Sequence, residues 1–473
     1  MDAFLIHGGR PLAGTLRVGG SKNAALPLMA TALLTDQPVE LRDVPDLSDI
    51  RNMARLLRSL GCEVERREEA AKLGTPGGGG PASTGGDAVA AAPPASRQGP
   101  ATTLRVTDEG PSTAEYDIVR TMRAGICVLG PLLARRGYAR VSMPGGCAIG
   151  DRPVDLHLRG LEKLGARISL EGGYIVAEGP EGSGSRLRGA HVFLGGPNGS
   201  TVLGTANVMS AAALARGTTV IESAACEPEI EDLATLLNAM GADVRGAGTP
   251  RVTIHGVESL GGARHAVMPD RIVAGTYVVA AAITNGHLTI ENFPIATLTA
   301  ALDRLHEAGV DVDPVSGVPP AGLSDDPHGL ATVRVRTQRR LTPVHVVTQP
   351  HPGFPTDLQA QLMALLCLAD GNSIVTEKIF PDRFLHVAEL LRMGANLTRS
   401  GPTVLVSGVK RLIGAPVMAS DLRASAGLVL AALAAEGQTL INRVYHLDRG
   451  YELLEKQLQA VGADIERVDR PSV

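Results

Sequence analysis

The stretch Leu161-Glu162-Lys163-Leu164-Gly165-Ala166-Arg167-Ile168 decides the fold, because it recurs with small changes along the 473-residue chain. Each copy begins in the last turn of a predicted helix, has a glycine where the helix ends, and continues into a short alternating strand. The other copies begin at Leu57, Leu237, Leu305, Leu391 and Leu458. Copies spaced by roughly 70 to 100 residues predict a repeated unit. We therefore expect an α/β (α+β) fold with two domains of three units each.

Helices rich in small apolar residues precede several copies of this stretch. They span residues 24–34, 208–215, 273–282, 358–369 and 424–435 and are apolar nearly all round. Such helices are typical of a domain interior, so we expect them to be buried. Short strands at 219–221, 287–290 and 438–441 are predicted to follow them after a glycine turn.

Two segments interrupt the repeat. Residues 74–102 consist almost entirely of Gly, Ala, Pro and Ser, and a milder proline-containing insert lies near 315–327. With so few large apolar side chains, the first segment cannot bury enough surface to order itself. We predict a disordered surface insert at 74–102; an unknown regulatory protein that binds it remains an alternative.

Composition narrows the possible functions. The formal net charge of −4 provides no general attraction to nucleic acid or acidic membranes. Aromatic residues amount to 3% and tryptophan is absent, so a base-stacking surface is not expected. The first residues lack a basic segment, and no run of about 18 apolar residues occurs, so we predict neither a signal peptide nor a membrane span.

The cysteines are odd in number and scattered, without a Cys-x-x-Cys pair; they are Cys62, Cys127, Cys147, Cys226 and Cys367. This pattern argues against a disulfide framework and favours a reducing cytoplasm. The histidines do not cluster at ligand spacing, and we expect no metal site.

Cys147 lies in a glycine-rich segment, Pro144-Gly145-Gly146-Cys147-Ala148-Ile149-Gly150-Asp151-Arg152. Most free cysteines are small buried hydrophobes. The flanking glycines instead predict a mobile loop, and Arg152 would favour the thiolate. These features indicate a chemically active cysteine.

Several charged residues stand beside small or apolar neighbours. Lys22 follows Gly19-Gly20-Ser21 at a predicted helix start, where a cation is unfavourable unless an anion binds there; a solvated surface lysine is the alternative. Asp357 precedes an apolar helix, and it is either a helix cap or a general base. The other charged residues of this kind are Arg123, Arg152, Arg383, Asp421, Arg423 and Arg449. Together they predict a multi-anionic ligand between two domains.

Long motifs in a fixed order carry a resemblance to a known family. They are Ser21-Lys22-Asn23-Ala24-Ala25-Leu26-Pro27, Thr121-Met122-Arg123-Ala124, Pro144-Gly145-Gly146-Cys147, Arg152-Pro153-Val154-Asp155-Leu156-His157, Phe354-Pro355-Thr356-Asp357, Asp421-Leu422-Arg423-Ala424-Ser425 and Asp448-Arg449-Gly450-Tyr451. With them the chain resembles the UDP-N-acetylglucosamine 1-carboxyvinyltransferase family of enolpyruvyl transferases, essentially from end to end outside the inserts.

This resemblance implies two pseudo-threefold domains with helices inside and sheets outside, an inside-out barrel. The implied domains are residues 22–267 and residues 1–21 plus 268–473, with the active site in the cleft between them. The implied reaction transfers the enolpyruvyl group of phosphoenolpyruvate to the 3′-hydroxyl of UDP-N-acetylglucosamine and releases phosphate. This reaction is the first committed step of peptidoglycan precursor synthesis and requires no cofactor.

The resemblance also implies roles for individual residues. The implied catalytic residues are Cys147, Asp357, Lys22 and Arg449, and Cys147 matches the loop cysteine that acts as general acid and is alkylated by fosfomycin. Lys22, Arg152 and Arg449 would hold the phosphoenolpyruvate phosphate, with Arg383 and Arg423 nearby. The other implied substrate-binding residues are Asn23, Arg123, Pro153, Val154, Asp155, Leu156, Gly199, Ser200, Thr201, Val202, Ile379 and Asp421.

One departure from the family pattern leaves alternatives open. The usual Ser-Val-Gly-Ala-Thr stretch beside the UDP diphosphate reads Thr201-Val202-Leu203-Gly204-Thr205 here, and Leu203 replaces a glycine. A changed backbone path there would alter the acceptor preference. The alternatives are a paralogue with another acceptor, an enolpyruvylshikimate-phosphate synthase, and a non-catalytic sugar-nucleotide-binding regulator.

Overall fold

The structure is a computed structural model that describes residues 2–67, 100–145, 154–182, 184–315, 328–337 and 340–469. Its strands form six four-stranded sheets with the same internal pattern. In each sheet, one edge strand is parallel to its neighbour and the remaining pairs are antiparallel. Six copies of one sheet topology confirm the repeated α/β unit.

The strands, in spatial order within each sheet, are Ala263–Ala266, Val39–Arg42, Ala101–Val106 and Cys62–Arg67; Thr113–Ala114, Tyr138–Ser142, Tyr174–Glu178 and Arg167–Glu171; His191–Phe193, Thr218–Glu222, Arg251–His255 and Asp243–Arg245; Ala13–Arg17, His287–Pro294, Leu330–Thr337 and Val310–Pro314; His345–Val347, Asn372–Thr376, Thr403–Ser407 and Asn396–Ser400; Pro416–Met418, Gln438–Asn442, Asp2–His7 and Asp464–Asp469. A separate two-stranded hairpin pairs Gly195–Gly196 with Gly199–Ser200. Within the described ranges, no strand pairing joins one four-stranded sheet to another.

The α-helices of the described ranges are α1 (Lys22–Ala30), α2 (Ser48–Ser59), α3 (Tyr116–Val119), α4 (Leu129–Arg136), α5 (Asp155–Lys163), α6 (Val202–Ala212), α7 (Pro228–Ala239), α8 (Arg271–Ile283), α9 (Thr299–Glu307), α10 (Gln359–Leu366), α11 (Leu385–Arg392), α12 (Leu422–Ala434) and α13 (Leu454–Ala460). Short 3₁₀ turns span Thr31–Leu34, Arg123–Val128, Ile295–Leu298, Thr356–Leu358 and Val444–Arg449. None of these helices combines the length and apolarity that a membrane crossing requires.

The apolar helices are buried, as predicted. Helices α8, α10 and α12 pack against one another, and α6 packs against both α1 and α4. The sequence patterns missed α4, because it is short, contains Pro131 and ends in Arg135 and Arg136. Its other residues, from Leu129 to Ala134, are nevertheless buried.

The repeat glycines have the predicted left-handed conformation. Their φ angles lie between 81° and 101°; the residues are Gly61, Gly165, Gly241, Gly309, Gly394 and Gly462. A residue with a side chain is strained in this region, so glycine allows each outer helix to end and the following strand to begin.

The buried apolar side chains form two clusters. One contains side chains between Ala24 and Met268, and the other combines Phe4 to Val18 with Ile272 to Ile465. The N-terminal strands Asp2–His7 and Ala13–Arg17 accordingly pair with strands from the second half of the chain.

The predicted insert at 74–102 extends too far at its C-terminal end. Ala101 and Thr102 belong to the strand Ala101–Val106, where they pair with Arg42 and Leu41. The threonines and alternating apolar residues of this segment have high strand propensity, which outweighs the small-residue composition before them. The rest of the insert, up to residue 99, lies outside the described residues, as does 316–327 in the second insert.

Candidate active site

A cavity of about 670 Å³ is lined by residues from both halves of the chain. The predicted site residues that line it are Lys22, Asn23, Arg123, Asp155, Leu156, Gly199, Ser200, Thr201, Val202, Asp357, Ile379, Arg383, Asp421, Arg423 and Arg449. Val154 is buried just before α5 and is not among the lining residues. Cys147, Arg152 and Pro153 lie outside the described residues.

Four buried helices begin at this cavity with a side-chain cap. Ser21, Thr201, Asp270 and Asp421 accept hydrogen bonds from backbone amides in the first turns of α1, α6, α8 and α12. The N-terminus of a helix carries a partial positive charge and favours anions. Helix ends from both halves therefore contribute to an environment that suits anionic substrates. Asp421, predicted to bind substrate, uses its Oδ1 for the cap.

Lys22 is the first residue of α1 and is buried in an ion pair. Its Nζ lies 3.2 Å from Oδ2 of Asp49, a buried residue in the first turn of α2. The other carboxylate oxygen of Asp49 accepts a hydrogen bond from Nε of Arg449 at 3.1 Å. One carboxylate thus joins two of the predicted catalytic cations. Burial lowers the pKa of Lys22, and the nearby charge of Asp49 opposes that shift.

Asp357 lies between two arginines in the second half of the chain. Its Oδ1 accepts a hydrogen bond from Arg383 at 2.8 Å, and its Oδ2 accepts one from Nε of Arg423 at 3.2 Å. Burial opposes ionisation of this carboxyl, but Arg383 and Arg423 outweigh it and hold the pKa of Asp357 well below its usual range. Asp357 is therefore a carboxylate at neutral pH. It does not act as a side-chain cap for α10.

Arg423 has unused hydrogen-bonding capacity. Its side chain is 1% exposed, and both terminal nitrogens are buried without a hydrogen-bond acceptor among the described residues. The ring of Tyr451 lies 5.2 Å from its guanidinium carbon, and the Tyr451 hydroxyl accepts a hydrogen bond from Gln361. Buried donors normally have acceptors, so an anion at this end of the cavity would satisfy Arg423.

Most of the Gly195–Ser200 hairpin also lines the cavity. Leu203, the residue that departs from the family pattern, lies in the regular first turn of α6, where no special backbone angle is needed. The next residue, Gly204, has no room for a side chain, because a Cβ atom there would lie 2.4 Å from Cγ2 of Thr201. The presence of Leu203 where the family has glycine therefore leaves the start of α6 intact.

Sequence patterns missed a buried ion pair in the lining of this cavity. Arg271, the first residue of α8, donates to both carboxylate oxygens of Glu229 at 3.0 and 3.2 Å, and both residues line the cavity. The nearby His351 has its pKa lowered to about 4, mainly by burial and then by Arg271. No local pattern could reveal the pair, because its members lie on different helices.

Three of the cysteines in the described residues are poor candidates for chemistry. Cys62, Cys127 and Cys367 are buried, and burial raises their pKa values to about 11, 12 and 12. A thiol with such a pKa is almost entirely protonated at neutral pH.

No group of His, Cys, Asp or Glu suited to a metal occurs in the described part of the chain.

Known proteins resemble this chain over nearly its full length. The family model described as EPSP synthase (3-phosphoshikimate 1-carboxyvinyltransferase) matches residues 6–91 and 98–458. A UDP-N-acetylglucosamine 1-carboxyvinyltransferase from Solidesulfovibrio magneticus is 51% identical over 468 residues, covering 99% of this chain and 100% of the relative. This chain belongs to the UDP-N-acetylglucosamine 1-carboxyvinyltransferase family. A second family member, from Dinoroseobacter shibae, is 50% identical over 469 residues, which is 99% of each chain.

Solved structures support the same fold. The enolpyruvyl transferase NikO from Streptomyces tendae matches with a TM-score of 0.81 at 24% identity, covering 99% of both chains. An EPSP synthase from Acinetobacter baumannii matches with a TM-score of 0.71 at 19% identity, covering 99% of this chain and 100% of that one. The predicted enolpyruvyl transferase fold is therefore confirmed. As a UDP-N-acetylglucosamine 1-carboxyvinyltransferase family member, the protein is a transferase.

Proposed function

We propose that this protein transfers the enolpyruvyl group of phosphoenolpyruvate to the 3′-hydroxyl of UDP-N-acetylglucosamine and releases phosphate. The main support is one cavity lined by four cations, in which Arg383 and Arg423 hydrogen-bond to Asp357 while Lys22 and Arg449 contact Asp49. Clustered cations offset the repulsion between two highly anionic substrates. The sequence is also 51% and 50% identical to two proteins named UDP-N-acetylglucosamine 1-carboxyvinyltransferase.

Phosphoenolpyruvate would bind at the end of the cavity that contains Lys22 and Arg449. The terminal nitrogens of Arg423 provide donors for its carboxylate or phosphate, and the N-termini of α1 and α12 favour the same charges. Arg152 is proposed to complete the phosphate contacts. The enolpyruvyl group would then lie near Asp357.

UDP-N-acetylglucosamine would bind between the start of α5 and the Gly195–Ser200 hairpin. Asp155 and Leu156 line one side of the cavity there, and Ser200 to Val202 provide the capped start of α6 for the diphosphate. Asn23, Arg123 and Ile379 are the further proposed contacts.

The chemistry is an addition followed by an elimination. The 3′-oxygen attacks the central carbon of phosphoenolpyruvate while the methylene carbon gains a proton, which Cys147 is proposed to deliver. The Cys147 thiolate is then proposed to take a proton back from the methyl group, and departure of phosphate restores the double bond. Asp357 accepts the hydroxyl proton. An anionic substrate that engages Arg423 weakens the field that lowers the pKa of Asp357, and so makes this carboxylate a stronger base.

The domain boundaries follow from the same proposal. Residues 22–267 and residues 1–21 plus 268–473 would fold around the two apolar clusters, and the substrates would bind in the cleft between them.

A cytoplasmic location would suit a UDP-sugar substrate in peptidoglycan precursor synthesis.

The test is phosphate release with phosphoenolpyruvate and UDP-N-acetylglucosamine, with and without prior exposure to fosfomycin. We expect turnover that the drug abolishes. Turnover with shikimate 3-phosphate instead would identify an EPSP synthase, and turnover with another nucleotide sugar alone would identify a paralogue. Binding of both substrates without phosphate release would indicate a regulator.

A further inference from the structure

Asp49 holds together two cations that belong to opposite halves of the chain. It lies in the first turn of α2, its side chain is 5% exposed, and its two carboxylate oxygens contact Lys22 and Arg449 separately. Arg449 ends a 3₁₀ turn that lies 400 residues further along the chain. Neighbouring contacts link the same segments, because Oγ of Ser48 donates to the carbonyl oxygen of Asp448.

Among the described residues, Asp49 is the carboxylate that contacts the ammonium group of Lys22 directly. From α12, Arg423 repels the ammonium group, and from the 3₁₀ turn Arg449 does the same. Asp270 accepts a hydrogen bond from the backbone nitrogen of Lys22, and Asp357 is attracted to the ammonium but is hydrogen-bonded to its two arginines. In a buried site crowded with cations, Lys22 depends on Asp49 to keep its charge.

We propose that Asp49 is a positioning residue that aligns Lys22 and Arg449 across the cleft as a single anion-binding pair for phosphoenolpyruvate. This inference rests on the proposed function. Asp49 lines the cavity, but each of its carboxylate oxygens contacts one of the two cations, so its proposed action on the substrate is through them. Its carboxylate fixes the distance between the two cations and ties α2 of the first half to the 3₁₀ turn of the second.

Loss of Asp49 should also change how activity depends on pH, because Asp49 raises the pKa of Lys22 while burial and the two arginines lower it. The pKa of Lys22 is already lowered, by burial first and by Arg423 and Arg449 next, and Asp49 acts against these effects. Without the carboxylate, Lys22 loses its proton at lower pH. The basic limb of kcat/KM for phosphoenolpyruvate should therefore move to lower pH.

The experiment compares the wild type with Asp49→Asn, Asp49→Glu and, as a matched control, Asp46→Asn. Asp46 lies three residues before Asp49 and pairs with Arg51 in an exposed contact. For Asp49→Asn we expect kcat/KM for phosphoenolpyruvate to fall about tenfold or more, with the basic limb displaced. Asp49→Glu should restore the position of the basic limb, and Asp46→Asn should match the wild type.

A second measurement does not depend on turnover. The pKa of Lys22 is measured by NMR titration of ¹³C-methylated lysines, with the signal assigned from Lys22→Arg. A lower value in Asp49→Asn than in the wild type supports the inference even if the wild type proves inactive with UDP-N-acetylglucosamine, an outcome that would overturn only the proposed function. An unchanged lysine pKa and an unmoved basic limb, whether or not thermal stability falls, would overturn the role of Asp49.

Discussion

Gly199 lies directly against Pro350, so that a Cβ atom on Gly199 would come 2.7 Å from Cγ of the proline. Gly199 belongs to the Gly195–Ser200 hairpin of the first half of the chain, and Pro350 to the loop before Asp357 in the second half. Both line the cavity. The absence of a side chain at residue 199 therefore permits the two halves to meet beside the proposed UDP-sugar site.

Gly199→Ala should weaken binding of UDP-N-acetylglucosamine. Its φ of 102° is unfavourable for alanine, and the new methyl group would push the hairpin away from Pro350. We expect KM for the UDP-sugar to rise about tenfold, equivalent to about 1.4 kcal/mol. Gly241→Ala is the matched control, because its φ is 101° and nothing lies within 4 Å of its Cβ position. Equal KM values in both variants would contradict the prediction.

Asp357→Asn should lower kcat by about two orders of magnitude or more, because an amide cannot accept the hydroxyl proton. Exposed Asp382, which pairs with Arg399 at 2.8 Å, provides the control Asp382→Asn. Steady-state phosphate release at saturating substrates measures the effect. A decrease below threefold would exclude Asp357 as the base.

The same Asp357→Asn substitution should affect stability in a pH-dependent manner. Arg383 and Arg423 would remain buried without their carboxylate, which costs roughly 3–5 kcal/mol of unfolding free energy. The folded-state pKa of Asp357 is depressed, so its contribution is complete above its ordinary pKa of about 3.9 and is lost as the pH falls further. Denaturant unfolding of both proteins from pH 7 to pH 3 should show the difference shrinking only at the acid end. A difference that does not change over this range would contradict the prediction.

Replacing residues 70–98 with four Gly and Ser residues should leave turnover within about twofold. The segment connects Arg67 and Ala101, which are directly paired in adjacent antiparallel strands. A loop about fourfold shorter closes with less loss of entropy, so the unfolding free energy should rise by about 1 kcal/mol. Extending the deletion through Thr102 removes strand residues and should prevent folding. A large loss of kcat in the shorter deletion would indicate a functional role for the insert.

Cys147→Asp should keep measurable turnover but resist fosfomycin, because a carboxyl can donate a proton yet reacts poorly with an epoxide. Cys147→Ala, which has no acid, should lose roughly two orders of magnitude in kcat. Cys226→Ser is the control, since Cys226 is the partly exposed cysteine of the described residues and should not affect inactivation. Complete inhibition of Cys147→Asp by the drug would contradict the role assigned to the cysteine.

Most of the local architecture could be predicted from the sequence. Residue 165 and its five counterparts had to be glycine because their backbone angles are left-handed, and such a requirement is visible in the sequence itself. The helix start at Lys22 was likewise predicted, since Ser21 caps it from the adjacent position, whereas the helix predicted at 424–435 begins two residues earlier, at Leu422, with Asp421 as its cap. Thr102 was wrongly predicted to belong to the insert, because strand pairing with Leu41 outweighs the small-residue composition of the segment.

Which charges meet was decided by the tertiary structure. Asp49 reads as an ordinary acidic residue near a helix start, yet its partners lie 27 and 400 residues away. The pairing of Glu229 with Arg271 likewise joins α7 and α8, two helices whose apolar side chains belong to different clusters. Local patterns determine helices, turns and caps because those interactions span only a few residues. The electrostatics of the cavity arise from long-range packing, which places buried cations and carboxylates within 4 Å of each other and so sets their pKa values.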